Sequence, residues 1–107
     1  MDWVRVVRDC FVRDAVLYTG HARREMLAEE FGPISDEEVG EATESAELLE
    51  EYPDDAPYPS CLLLGFTRAG RPLHFVAAHD YSVPRIIVVT VYQPDPSQWE
   101  EDRRRKR

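Results

Sequence analysis

The sequence predicts an α+β domain: helices first, then a meander of strands. Apolar residues recur at helical spacing through Ala46 and then shift to strand-like runs from Glu47 onward. The predicted strands follow one another through short connections, which antiparallel neighbours allow and parallel ones do not. At 107 residues the chain is the size of one small domain, long enough to bury a core without disulfides.

The first helix is expected over residues 3–13, with Asp2 as its cap and Trp3, Val7, Cys10 and Phe11 on one face. Residues 15–19 read as extended. Thr19 can cap a second helix beginning near His21, which turns Ala22, Met26, Leu27 and Phe31 inward and ends at Gly32-Pro33. Ser35-Asp36-Glu37-Glu38 is a capping box with Ile34 as its hydrophobic staple. The third helix buries only Val39, Ala42 and Ala46. Strands are expected at Leu48 to Tyr52, Ser60 to Thr67, Pro72 to His79 and Arg85 to Tyr92, the last being richest in β-branched residues.

Composition removes several function classes. The longest apolar run, Ile86 to Val89, is far short of a membrane span, and Met1-Asp2-Trp3-Val4-Arg5 does not open like a signal peptide. Cys10 and Cys61 are too few for a disulfide framework or a zinc module, so a cytoplasmic chain with reduced thiols is expected. Charge is segregated. The net charge is −8, with thirteen acids and no Lys or Arg from Glu25 to Asp55, yet residues 103–107 are all basic. Such asymmetry can reserve one face for an anion and another for a basic partner.

Strand alternation places His74, Val76 and Ala78 on one face and Leu73, Phe75, Ala77 and His79 on the other, so the two histidines cannot share a metal unless a bulge intervenes. In the last strand, alternation groups Thr90 and Tyr92 with Ile86 and Val88. His21, Arg24 and Glu25 share a face of the second helix. Histidine, arginine and tyrosine are the groups that metal-free RNA cleavage needs: a base, a cation for the phosphorane oxygens and an acid. The chain has no phosphate-binding glycine loop, nucleophile elbow or metal-spaced acidic cluster, and no cofactor is expected.

Several segments together resemble one small bacterial family, the domain of unknown function numbered 4258. They are His21-Ala22-Arg23-Arg24-Glu25-Met26, Ile34 to Val39, Tyr52 to Ser60, Gly70-Arg71-Pro72-Leu73-His74, Thr90 to Pro96, Trp99 and the arginine-rich end. That family is placed with the RelE/ParE-like toxins of type II toxin–antitoxin pairs. The resemblance implies N-terminal helices packed on one face of a curved antiparallel sheet of four to five strands. It also implies messenger-RNA cleavage, with or without the ribosome, and a cognate antitoxin of zinc-finger and helix-turn-helix type. Residues 1–98 would form the domain and 99–107 a basic, flexible tail. Carried over to this chain, the motif histidine is His21, the strand histidine is His74, and the final-strand pair is Thr90 and Tyr92. Many members read His-Ala-x-x-Arg-Met. Here Glu25 stands at the arginine position and Arg24 sits one residue early, a rotation of about 100° around the helix.

The resulting expectation is an endoribonuclease. His74 or His21 is the base, Arg71 or Arg24 stabilises the transition state, and Tyr92 orients the phosphate or acts as acid. Arg68, Arg85 and Thr90 contribute to substrate binding. The alternative is a non-catalytic module of the same fold whose acidic helical face docks a protein partner.

Overall fold

The computed structural model describes residues 1–106; Arg107, the end of the basic tail, lies outside the described residues. Side-chain caps set the start of each helix. In α1 (Trp3–Val12) the Asp2 carboxylate accepts from the Arg5 amide. In α2 (Gly20–Ala28) the Thr19 hydroxyl accepts from the Ala22 amide at 3.0 Å. In α3 (Asp36–Glu44) the capping box forms in both directions, Glu38 N–H to Ser35 Oγ at 3.1 Å and Ser35 N–H to Glu38 Oε1 at 3.0 Å.

The strands are β1 (Val16–Tyr18), β2 (Glu47–Tyr52), β3 (Ser60–Phe66), β4 (Pro72–Asp80) and β5 (Arg85–Tyr92), ordered β1-β5-β4-β3-β2 across one sheet. Strands β2 to β5 are antiparallel, but β1 runs parallel to β5, so the sheet is mixed and not wholly antiparallel as expected. Short connections fix the directions of β2 to β5. Strand β1 reaches β5 only through α2, α3 and three other strands, and no hairpin dictates its direction.

All three helices cover one face. Trp3, Val7 and Cys10 of α1, Ala22 and Met26 of α2, and Val39 and Ala42 of α3 pack on Cys61, Leu63, Leu73, Phe75, Ala77, Ile86, Val88 and Val91. Helix α2 stops at Ala28, earlier than the sequence suggests, and Leu27 and Phe31 are exposed instead of inward. The cause is local. Glu29 leaves helical geometry and its carboxylate accepts from the Gln93 amide just past β5. Helix α3 approaches β3 so closely that a Cβ at Gly65 would lie 1.9 Å from the Ala42 carbonyl oxygen. No helix is long and apolar enough to cross a membrane.

An extra residue reorders β5. Val76 pairs with Thr90 but Ala77 pairs with Val88, leaving Val89 as a bulge. Val91 therefore joins Ile86 and Val88 in the core, while Thr90 and Tyr92 turn to the face of His74 and Val76. This corrects the simple alternation expected for this strand. Thr19 closes the bulge: its hydroxyl donates to the Val89 carbonyl at 3.1 Å while accepting from the start of α2.

Two stability predictions follow from these contacts. Gly65→Ala is expected to destabilise by about 3 kcal/mol or more, because the clash is with backbone. Thr19→Val should lose about 1–3 kcal/mol by leaving two backbone groups unpaired, whereas Thr19→Ser should retain most of the stability. Urea unfolding of the three variants checks both.

Candidate functional site

On the sheet face away from the helices, His74 and Tyr92 lie directly opposite one another in the β4–β5 register. The chain beyond β5 folds back over them. Pro94 is buried, and Asp95 accepts from the amide of Ser97 through its side chain and from those of Gln98 and Trp99 through its carbonyl. A two-stranded hairpin follows, β6 (Trp99–Glu100) with β7 (Arg104–Arg105). Its turn carries Glu101 and Asp102 at φ of 50° and 62°, closed by Arg103 N–H to the Glu100 carbonyl at 2.9 Å. Left-handed residues in succession match the twist of a tight hairpin but are costly without glycine.

That turn delivers the Asp102 carbonyl to His74 Nε2, and Trp99 meets the imidazole edge-on with centroids 4.4 Å apart. His74 is fully buried. A carbonyl only accepts, so Nε2 carries the proton. Nδ1 is then the bare nitrogen, and it accepts from the Tyr92 hydroxyl at 3.0 Å. Burial pushes the His74 pKa down from its ordinary 6.5; the Asp102 carbonyl opposes this and the Arg105 charge adds to it. Burial pushes the Tyr92 phenol up, with Arg105 pulling down and Glu25 and Glu50 pushing up. A neutral imidazole and a protonated phenol result, joined by one hydrogen bond.

Tyr92, Trp99 and Arg105 separate two clefts. One, of about 440 Å³ on the open sheet face, is lined by these three with Tyr52, Leu62 and Arg103 among others. The other, of about 430 Å³, is acidic, with Glu25, Glu29, Glu30 and Asp95 in its wall. The Arg105 guanidinium lies 5.1 Å from the centre of the Trp99 ring, a cation–π contact that holds the charge between the clefts.

The other residues singled out in the sequence are placed apart from this pair. His21 is exposed on α2, its Nε2 3.3 Å from Glu25 Oε1. That carboxylate in turn accepts from the Val91 amide at 3.2 Å. Glu25 and Glu29, one turn apart, thus satisfy the amides of Val91 in β5 and of Gln93 just past it, beyond the point where β1 ends. Arg24 is exposed on α2 and Thr90 is half-buried opposite Val76. Arg71 is committed as a clamp. Its Nε donates to Gln93 Oε1 at 2.6 Å, Nη1 to the Pro33 carbonyl at 3.0 Å and to Glu38 at 3.1 Å, and Nη2 to the Gly32 carbonyl. Arg68 pairs with Glu44 at 2.9 Å, and Arg85 with Asp80 at 3.3 Å at the far end of the β4–β5 ladder.

Trp99, Arg105 and the Asp102 carbonyl complete the site without having been singled out. The tail's arginine run gave their charge; nothing in it gave their fold-back onto β4. Because the folded His74 pKa lies below its unfolded value, its contribution to stability is present above about pH 6.5 and is lost as the pH falls toward the folded pKa. The melting temperature is expected to drop over that interval, and His74→Gln should flatten the drop; thermal scans across pH check this.

No curated protein and no solved structure matches the chain. A family model described as a domain of unknown function, DUF4258, matches residues 18–93. Those residues hold α2, α3, the antiparallel strands β2 to β5, His74 and Tyr92, while Trp99 and the hairpin lie beyond them. The chain belongs to the DUF4258 family.

Proposed function

We propose that this chain is a metal-independent endoribonuclease of RelE-like fold, acting on messenger RNA as the toxin of a type II toxin–antitoxin pair. The carrying observation is the position of Tyr92. It borders a groove lined by Tyr52, Trp99, Arg103 and Arg105, with a neutral imidazole behind its hydroxyl. Arginines supply phosphate affinity, and aromatic rings suit unpaired bases. The cation at Arg105 is the closest of these to the His74–Tyr92 pair in effect, since it lowers both pKa values.

In this reading, the ribose 2′-hydroxyl gives its proton to the Tyr92 oxygen while the phenolic proton passes to His74 Nδ1. The 2′-oxygen attacks phosphorus, Arg105 stabilises the phosphorane oxygens, and the 5′-oxygen leaves with a proton from water. His74 therefore acts through Tyr92 and is a positioning and proton-accepting residue, not a base in contact with RNA. The products are a 2′,3′-cyclic phosphate and a 5′-hydroxyl. A cytoplasmic setting and a zinc-finger, helix-turn-helix antitoxin belong to the same proposal.

A second reading rests on a different observation. His74 is enclosed with both nitrogens occupied, and Arg71 is fully engaged. Both suit a non-catalytic module whose acidic helical face, chiefly α3, docks a basic protein. Induced expression in a bacterial host separates the readings. Wild type should arrest growth and leave cyclic-phosphate ends on cellular RNA, and Tyr92→Phe at matched soluble levels should reduce cleavage by about 100-fold or more. Unimpaired growth with abundant soluble wild type would favour the docking module.

A further inference from the structure

The two edges of the sheet are finished differently. Edge strand β2 is blunted in the ways natural proteins use against unwanted pairing. It carries Glu47, Glu50 and Glu51, its register breaks between Leu48 and Glu50, and Arg103 of the hairpin turn pairs with Glu47. Edge strand β1 has none of these devices. Its sequence is Val-Leu-Tyr, with Leu17 47 % exposed.

The backbone of β1 is also half unused. Ile86 N–H donates to the Ala15 carbonyl and Thr19 N–H to the Val88 carbonyl, each at 3.0 Å. Residues 15, 17 and 19 therefore turn their polar groups toward β5, and Val16 and Tyr18 turn theirs outward. No other strand lies on that side, and among the described residues nothing hydrogen-bonds to those outward groups. Beside them runs a cleft of about 480 Å³ lined by Phe11, Val16, Tyr18, Asp14, Asp36 and Glu37 among others. The one cation in its wall, Arg23, is consumed by Asp36 and stacks 4.0 Å from the Tyr18 ring centre. Asp14 and Glu37 then leave the rim negative.

We infer that the β1 edge is a strand-addition site for an extended protein segment whose helix-facing positions, every second residue, are apolar at the centre and basic at the flanks. The segment's backbone pairs with the outward groups of Val16 and Tyr18. On the helix-facing side its central apolar side chains fill the floor made by Phe11, Val16 and Tyr18, and the basic ones flanking them meet Asp14 and Glu37. The inference rests on the sheet edge and holds whether or not the opposite end of the fold cleaves RNA.

The test uses the full chain and a synthetic arginine–valine peptide, with Arg-Val-Val-Arg at every second position and threonine between, and a glutamate–valine peptide with Glu in place of Arg as control. The arginine–valine peptide is expected to bind and to slow hydrogen exchange at the Val16 and Tyr18 amides, read by NMR, leaving β2 unchanged. Val16→Pro removes an outward donor while sparing the bonds to β5, and Glu37→Lys reverses the rim. Each should weaken binding by about tenfold with little change in melting temperature. Absence of binding, equal binding of the glutamate–valine peptide, protection at β2 instead of β1, or wild-type affinity in both variants would overturn the assignment.

Discussion

One extra residue in β5, and the threonine that holds it, sets the arrangement of everything around it. The Val89 bulge reverses which side chains of β5 face the helices, and its carbonyl would be unpaired without the Thr19 hydroxyl. The same hydroxyl starts α2. The position of α2 over β5 and the exit of Tyr92 onto the opposite face are thus fixed by one side chain bonding in both directions. Beyond the bulge β5 has no partner on its outer side, and Glu25 of α2 and Glu29 at its end accept from the amides of Val91 and Gln93. Substituting carboxylates for a missing strand keeps buried backbone donors satisfied where the ladder stops.

The far face of the sheet follows from the same reversal. With Tyr92 beside His74, that face carries a polar pair that must be either hydrated or covered. The hairpin covers it, and the Asp102 carbonyl supplies the acceptor that the second imidazole nitrogen requires. Glu101 and Asp102 hold left-handed geometry at that turn, a backbone cost of the kind found where the surrounding structure dictates a particular contact. Enclosure of His74 leaves Tyr92 as the member of the pair that borders the clefts.

Electrostatics acts here by location and not by sum. A chain of net charge −8 places thirteen of its 21 acids between Glu25 and Asp55 and pairs several of its arginines internally: Arg23 on Asp36, Arg68 on Glu44, Arg71 on Glu38, Arg85 on Asp80. Arg105 forms a contact with an aromatic ring instead. Arg105 thus places a positive charge beside Tyr92 despite the overall sign.

The helix caps, the capping box at Ser35 and the strands from β2 to β5 were legible in the sequence, because each depends on residues within a few positions of one another. His74 and Tyr92 were legible as candidates by residue type, and their meeting was not, since it depends on a bulge that alternation alone does not announce. The parallel pairing of β1, the truncation of α2 by Glu29 and the engagement of Arg71 lay equally out of reach. Those features are bonds between residues tens of positions apart, made where a backbone amide or carbonyl lacks a local partner. Local propensity determined what the segments are; the satisfaction of buried polar groups across the fold decided how they meet.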